Sequence, residues 1–373
     1  MFTTFDRYLL GRLLHTFGVF FIAAYGLFVV IDLFMNVDDF QNDAAGLVQV
    51  GGSILEYYTY RCAEFFEIAG PVLIVISVIT VLGLLQKNSE TYPILAAGIP
   101  AFRLLKPLLI AAAILNVLLI VNQEFIIPSI AVQLQTARGS STAKLQKVEP
   151  VYDFSNHLMH IDGEFVKVEE QKLLAATFTL PAPELSTSVN ALTAEYAVYM
   201  DAADKRPAGW MLKNLTGVFD SDILTEEGRR RVIPHPNGRD LFIVSAVSFD
   251  QLYNRGRNLK LLSSSQLVQR IRNPSTGLVP VRGQSLALHS RITRPLLCLI
   301  SITIALPLVM KKESRSLIMN MAVCAGVQGF FYGVTQGCFA LGSTGAIAPD
   351  LAAWLPVIVC GIASTWTAGY VQT

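Results

Sequence analysis

The chain has 373 residues, of which 52% are hydrophobic and 15% are charged, and its mean hydropathy is +0.47. An average soluble chain carries about 25% charged residues, so this composition excludes an ordinary soluble protein. The formal net charge of +1 offers no excess of positive charge for nucleic acid, and no nucleic-acid partner is expected.

Six apolar runs predict six transmembrane helices, three on each side of a polar block. Several runs reach the roughly 20 residues that cross a hydrocarbon core. The third and fourth runs are shorter, but apolar turns at 101–105 and 286–292 extend them. The six runs are residues 13–34, 68–85, 108–121, 296–310, 317–341 and 351–370.

Basic residues predict the orientation, because Lys and Arg near the ends of spans resist translocation. One side of the predicted membrane carries a single basic residue, Arg61, in the loop expected between the first two spans. We therefore expect both termini on the cytoplasmic side and the polar block on the other side. The basic residues of the cytoplasmic side are Arg7, Arg12, Lys87, Arg103, Lys106, Lys311, Lys312 and Arg315.

The polar block between the two triplets of spans predicts an all-β domain. Short segments rich in β-branched and aromatic residues alternate with turn signals such as Asp162-Gly163. This pattern is typical of a sandwich, a jellyroll or an open barrel. The predicted strands are 151–154, 158–161, 164–168, 175–180, 191–200, 210–219 and 241–249.

The resulting domain organisation is a membrane α-helical bundle with an inserted extracytoplasmic domain. Residues 1–130 and 286–373 form the bundle, residues 131–262 form the β-domain, and residues 263–285 form a linker. The linker is expected to begin with a short helix that has Ser263 as its N-cap. The five cysteines lie in or beside spans, so no disulfide is expected inside the β-domain.

Motifs of catalysis and metal binding are absent from the sequence. It contains no phosphate-binding loop, no H-E-x-x-H, no G-x-S-x-G and no His or Cys cluster with metal-ligand spacing. His157 and His160 are three positions apart, which places them on opposite faces of a strand. We expect no catalytic residue, no metal and no cofactor, and therefore no enzyme activity in this chain.

The loop at residues 86–103 predicts a short helix between spans two and three. Ser89 suits the N-cap, Glu90 suits the positive end of the helix dipole, and Pro93 suits the first turn. Gly98 then closes the helix. Such a helix is either a docking element for a soluble partner or a plain turn that reverses the chain.

Arg291 and Arg294 are candidates for contact with a phosphate group. Residues 251–310 contain eight basic residues and no acidic residue. These two lie three positions apart at the outer end of the fourth span, so one helix face presents both guanidinium groups. The alternative is that both extend to the headgroups of anionic lipids.

Gly329, Gly333 and Gly337 form a stripe of small residues along the fifth span. Small residues let helices approach closely and gain van der Waals contact. The stripe serves either packing within this chain or an interface with another subunit. In both cases a bulky residue at Gly333 is expected to harm the protein.

Four segments resemble the LptF/LptG lipopolysaccharide-export permeases. They are F-D-R-Y-L-L-G-R at 5–12, the loop from Ser89-Glu90 to A-A-G-I at 96–99, N-Q-E with Pro128, and L-A-L-H-S-R-I-T-R-P at 286–295. They occur in the order found in that family and extend over nearly the whole chain.

The resemblance implies a permease in the bacterial inner membrane that moves lipopolysaccharide. In that family, a heterodimer of permeases sits on a dimer of the ATPase LptB, and a periplasmic β-jellyroll passes lipid to LptC. The second permease here would be a related chain or another copy of this one. Glu90 corresponds to the coupling acid that meets the ATPase, and Ser89, Gly98 and Arg103 lie in the same coupling loop.

The chain departs from the family in two places, and two other interpretations remain open. Pro93 stands where a helix former is usual, and Asp38, Asp39 and Asp43 stand where some members have basic residues. One alternative is a lipoprotein-release-type permease, which has four spans and its domain after the first. The other is a membrane-anchored sensor or scaffold whose β-domain binds a partner.

Overall fold

The computed structural model describes residues 4–40, 47–90, 101–135, 145–168, 170–203, 206–217, 219–252, 259–272, 281–310 and 317–369. The chain divides into two compact units. A helical unit comprises Met1–Ile130 and Ser285–Thr373, and a second unit comprises Ala131–Gln284.

Among the described residues, six helices are longer than 20 residues. They are α1 (Thr4–Met35), α2 (Leu47–Lys87), α3 (Ala101–Val121), α4 (Val281–Met310), α5 (Leu317–Thr344) and α6 (Pro349–Gly369). Within the described part of the chain, four helical stretches are long and apolar enough to cross a membrane. These four are Thr4–Met35, Val50–Lys87, Lys106–Ser129 and Pro349–Trp366.

Helix α2 is much longer than the predicted second span. It has 41 residues, which corresponds to about 60 Å, roughly twice the thickness of a hydrocarbon core. The expectation of a loop throughout the region between the first two spans is therefore wrong for residues 47–67. Polar side chains in this part pair along the helix, since Arg61 Nε donates to the Tyr57 hydroxyl at 3.0 Å and Arg61 forms an ion pair with Glu64.

The first three long helices and α4 share one apolar core. Leu9, Leu13 and Phe17 of α1 are buried in it together with residues of the other three helices. Farther along α1, aromatic rings pack against α2, with Tyr25 and Phe65 centroids 5.3 Å apart. A buried polar contact crosses the core, where Asn116 Nδ2 of α3 donates to Cys298 Sγ of α4 at 3.4 Å.

Helix α3 continues into a π-helix at Asn122–Ile126. The backbone N–H of Ile127 donates to the carbonyl of Asn122, five positions back. Pro128 follows and has no N–H to offer the carbonyl four positions before it, which favours this wider turn. The π-helix is anchored to α2, because Asn122 Nδ2 donates to the carbonyl of Ala63 at 3.0 Å.

In the part of the second unit that the structure describes, nine strands form one antiparallel sheet, as the sequence predicts for an all-β domain. Its order is β1-β4-β5-β6-β7-β9-β8, with β3 also paired to β5 and β2 paired to β3. The described pairing defines one continuous sheet and does not by itself define the two facing sheets of a jellyroll. The strands are β1 (Leu145–Lys147), β2 (Val151–Asp153), β3 (Met159–Asp162), β4 (Phe165–Lys167), β5 (Lys172–Leu180), β6 (Asn190–Met200), β7 (Gly209–Leu215), β8 (Val232–Pro234) and β9 (Leu241–Val244).

The core of this unit forms around Trp210 of β7. Its side chain is fully buried, and its Nε1 donates to the carbonyl of Val247 at 2.9 Å. Asp153 is also buried and accepts a hydrogen bond from the Ser245 hydroxyl at 2.6 Å. These two buried polar groups are thus paired, and all five cysteines lie outside this unit, so its core is held without a disulfide.

The predicted helix after the sheet is present as Ser264–Arg272. Gln266 N donates to Ser263 Oγ at 3.2 Å, and Ser263 N donates to Gln266 Oε1 at 2.9 Å. This reciprocal pair is a capping box and confirms Ser263 as the N-cap.

Candidate functional site

The C-terminus of α2 ends in a Schellman motif centred on Ser89. Ser89 has φ +58°, and its N–H donates to the carbonyl of Gln86 at 3.1 Å. Glu90 N donates to the carbonyl of Leu85 at 3.0 Å, which completes the motif. Ser89 therefore terminates α2, and its left-handed backbone differs from the extended backbone of the N-cap predicted there.

The carboxylate of Glu90 is held by side chains from two regions of the chain. Arg12 Nη1 of α1 lies 3.2 Å from Oε1 and 3.4 Å from Oε2, and the Tyr8 hydroxyl donates to Oε2 at 3.3 Å. Asn88 Nδ2 donates to Oε1 at 3.1 Å. Arg12 Nη1 also donates to the Tyr8 oxygen at 2.6 Å, so these residues form one cluster, called the Glu90 cluster below.

The charge of Glu90 is stabilised by this cluster. Partial burial favours the neutral acid, but hydrogen bonds from Asn88, Arg12 and Tyr8 and the charge of Arg12 outweigh it, so the pKa of Glu90 is lowered. Without these partners, the negative end of the α2 dipole would disfavour an acid at this position. Glu90 is therefore an ionised, partly exposed carboxylate near neutral pH.

The other predicted residues of this loop are placed only in part. Gly98 and most of the predicted short helix lie outside the described residues. Arg103 lies in the first turn of α3. The structure thus brings Glu90 together with Arg12 and Tyr8, which the sequence had not linked to it.

Arg291 and Arg294 of α4 each form an ion pair with a carboxylate of another helix. Arg294 Nη1 lies 2.9 Å from Glu67 Oε1 of α2, and Arg291 Nη1 lies 3.4 Å from Glu124 Oε1 of the π-helix. These four residues are called the α4 charge network below. The side chains of Arg291 and Glu67 are only 11% and 12% exposed, whereas that of Arg294 is 40% exposed.

The α4 charge network shows that two arginines of the basic run at 251–310 are paired with carboxylates from outside the run. That run has no acid of its own, but α2 and the π-helix supply two carboxylates to it. A phosphate group at Arg291 or Arg294 would have to share the guanidinium with a carboxylate or displace it. Sequence reasoning missed Glu67, because its partner lies 227 positions away.

The glycine stripe of α5 faces open space in this chain. A Cβ placed on Gly329, Gly333 or Gly337 would meet no heavy atom of the described residues within 4 Å, apart from the helix itself and chain neighbours. Phe330 and Tyr332 beside the stripe are 68% and 60% exposed. Of the two predicted roles, packing against other described residues of this chain is therefore not observed at these three positions.

Metal ligation finds no support within the described part of the chain. No group of three or more His, Cys, Asp or Glu side chains there could hold a metal ion. His160 lies in β3, whereas His157 lies in the preceding turn with φ +51° and contacts Glu227 at 2.9 Å. His160 instead packs against Tyr152, with ring centroids 4.8 Å apart, so the two histidines belong to separate contacts.

Comparison with protein families gives a match that extends over residues 7–370. The matching model is that of the lipopolysaccharide export system permease LptF/LptG. A comparison with curated proteins gave no match. The apolar helices and the separate antiparallel sheet agree with a membrane-embedded permease that carries a folded domain. The chain belongs to the LptF/LptG family of lipopolysaccharide export system permeases.

Proposed function

We propose that this chain is the permease subunit that extracts lipopolysaccharide from the inner membrane and passes it to a periplasmic bridge. A separate ATPase dimer resembling LptB supplies the energy, and a protein resembling LptC receives the lipid from the β-domain. The family match over residues 7–370 carries this proposal. The same match favours a permease over the sensor and the lipoprotein-release alternatives.

In this proposal, the chain crosses the membrane six times, and both termini lie in the cytoplasm. The long helices on each side of the sheet unit support the count, and the surplus of basic residues in the predicted cytoplasmic loops supports the orientation. The sheet unit is then periplasmic, and we propose that it belongs to the jellyroll domains of this family.

The coupling loop is proposed to begin at Ser89 and Glu90 and to include Gly98 and Arg103. Its support is the position of Glu90 immediately after the end of α2, with a side chain that is 30% exposed and ionised. An ionised acid at the edge of a helix bundle suits a basic surface on an ATPase partner.

Arg291 and Arg294 are proposed to meet the phosphate groups of the lipid. Arg294 supports this role best, because its partly exposed guanidinium can bind a second anion while it contacts Glu67. At about 1.5 Å per residue, Arg294 lies roughly 24 Å along α4 from Met310. That distance places it near the outer headgroups if Met310 lies at the cytoplasmic side.

The glycine stripe of α5 is proposed to face the second permease subunit. Its open surface in this chain supports an intersubunit role. A Gly333→Leu variant should fold with normal thermal stability but lose association with the second permease. Equal recovery of both permeases from one affinity tag would contradict this assignment.

The test of the proposed function is reversal of the coupling acid. A Glu90→Lys variant, co-expressed with the other subunits, should lose co-purification with the ATPase and should lose stimulated ATP hydrolysis. Glu56→Lys is a matched control, because it reverses an exposed acid on α2 far from the loop. Normal co-purification and normal hydrolysis in Glu90→Lys would refute the docking role.

A second test addresses the cargo. Photocrosslinking of lipopolysaccharide to an Arg291→Ala/Arg294→Ala variant should give a lower yield than wild type. Variants with Glu67→Gln and Glu124→Gln keep both guanidinium groups and should give at least the wild-type yield. An unchanged yield in the double alanine variant would exclude phosphate contact at this place.

A further inference from the structure

The Glu90 cluster connects the end of α2 with the beginning of α1. Arg12 and Tyr8 are separated from Glu90 by 78 and 82 positions, so their contact is tertiary. The two α1 residues lie four positions apart, which puts them on one helix face. Arg12 Cζ lies 5.6 Å from the centroid of the Tyr8 ring, and its Nη1 donates to the Tyr8 oxygen.

The face of α1 beside this cluster is firmly packed. Leu9 and Leu13 are fully buried, and Phe17 is nearly so, in the core shared with α2, α3 and α4. A displacement of the cluster therefore acts on a helix whose inner face is fixed over several turns. Packed elements of this kind shift as units, because close-packed cores do not deform continuously.

The covalent connection from α2 to Glu90 consists of Asn88 and the left-handed residue Ser89. The Asn88 side chain also donates to the Glu90 carboxylate. The bonds from Arg12 and Tyr8 add a second connection, and this one leads to α1.

We infer that Arg12 and Tyr8 are positioning residues that fix Glu90 to α1, so that α1 moves together with the coupling loop. This inference rests on the proposed docking of an ATPase at that loop. Arg12 contacts both oxygens of the carboxylate, and the Glu90 side chain still remains 30% exposed for a partner. Movement of the docked loop then reaches α1 directly, in addition to α2.

The experiment uses the full complex in proteoliposomes and separates assembly from coupling. Assembly is the amount of ATPase that co-purifies with the permease. Coupling is the amount of lipopolysaccharide released per ATP hydrolysed. The variants are Arg12→Gln, Arg12→Lys and Tyr8→Phe. The control is Arg7→Gln, which removes an exposed charge five positions before Arg12 on the same helix.

Arg12→Gln should keep assembly within about twofold of wild type, while coupling falls by about fivefold or more, the lower range of measured couplings between sites. Arg12→Lys keeps the charge and should recover part of the coupling. Tyr8→Phe removes one hydroxyl and should lower coupling by about twofold, even if Arg12→Gln fails to fold. Arg7→Gln should match wild type in both measurements.

Two results would overturn the inference. Wild-type coupling in both Arg12→Gln and Tyr8→Phe would show that α1 does not receive the movement. Loss of assembly in Arg12→Gln to the extent seen in Glu90→Lys would make Arg12 part of the docking surface instead. The proposed function fails by a different result, which is normal assembly and hydrolysis in Glu90→Lys.

Discussion

The Glu90 cluster and the α4 charge network use the same chemistry in different surroundings. Each joins Arg and Glu side chains from helices that are distant in sequence. The Glu90 cluster lies beside a loop, whereas Arg291 and Glu67 of the network are almost covered by protein. A charged group that water or another protein can reach can replace one ionic partner by another. A covered charged group that loses its ionic partner is left buried without a counter-charge, which destabilises the fold.

The largest expected effect is loss of the closest partner of Glu67, the covered acid of the α4 charge network. Arg294→Met should lower the free energy of unfolding by about 2 to 3 kcal/mol, because the largely covered Glu67 carboxyl would lose its closest cation. The value is below that of a fully buried pair, since Arg294 is 40% exposed. Unfolding by denaturing detergent in mixed micelles measures it.

The matched control is the double variant Arg294→Met/Glu67→Met, which removes both charges. It should recover most of the lost stability, because apolar side chains of similar size can replace a buried pair. A double variant as unstable as Arg294→Met would mean that the packing of Arg294, and not its charge, carries the effect.

Loss of the charge of Glu90, which is partly exposed, should have a smaller effect on stability. Glu90→Gln is expected to change the free energy of unfolding by less than about 1 kcal/mol, the usual range of ion pairs near water. The same micelle titration measures it beside Arg294→Met. A loss equal to that of Arg294→Met would erase the distinction between the two clusters.

The smallest expected effect is that of pH on the Glu90 cluster. The pKa of Glu90 is lowered in the folded protein. The stability that the ionised Glu90 contributes is therefore fully present above the ordinary pKa of about 4.3, and it is lost as the pH falls through the lowered pKa. The difference in melting temperature between wild type and Glu90→Gln should stay constant from about pH 5 to 8 and shrink below about pH 4. A difference that varies between pH 6 and 8 would contradict this assignment.

The sequence predicted the parts of the fold that depend on local patterns. Runs of β-branched and aromatic residues located β5 and β6 within a few residues, and the preference of Ser for the N-cap located the start of the short helix at Ser263. The strands β1 and β8 were missed, because β1 ends in the polar residues Gln146 and Lys147 and β8 ends in Pro234, so neither short run shows a strand pattern. The N-terminal half of α2 was missed because its polar side chains interrupt the apolar pattern by which a span is recognised.

Both ionic clusters lay beyond what local patterns predict. Arg12 with Glu90, and Arg294 with Glu67, are separated by 78 and 227 positions. Their contacts depend on which helices are neighbours and how each helix is rotated. The charge run at 251–310 therefore indicated an unpaired basic surface, although carboxylates from other helices meet two of its arginines.

The π-helix at Asn122–Ile126 determines the direction around the helix axis in which the following side chains point. Each residue of an α-helix turns by about 100°, and the wider turn absorbs one additional residue without a change of axis. Deletion of one residue there would restore the regular turn and rotate Glu124 by about that angle relative to Arg291. The contact between Glu124 and Arg291 thus depends on the direction in which the helix presents Glu124 as much as on charge. A single deletion in the π-helix would separate the two side chains without changing either residue.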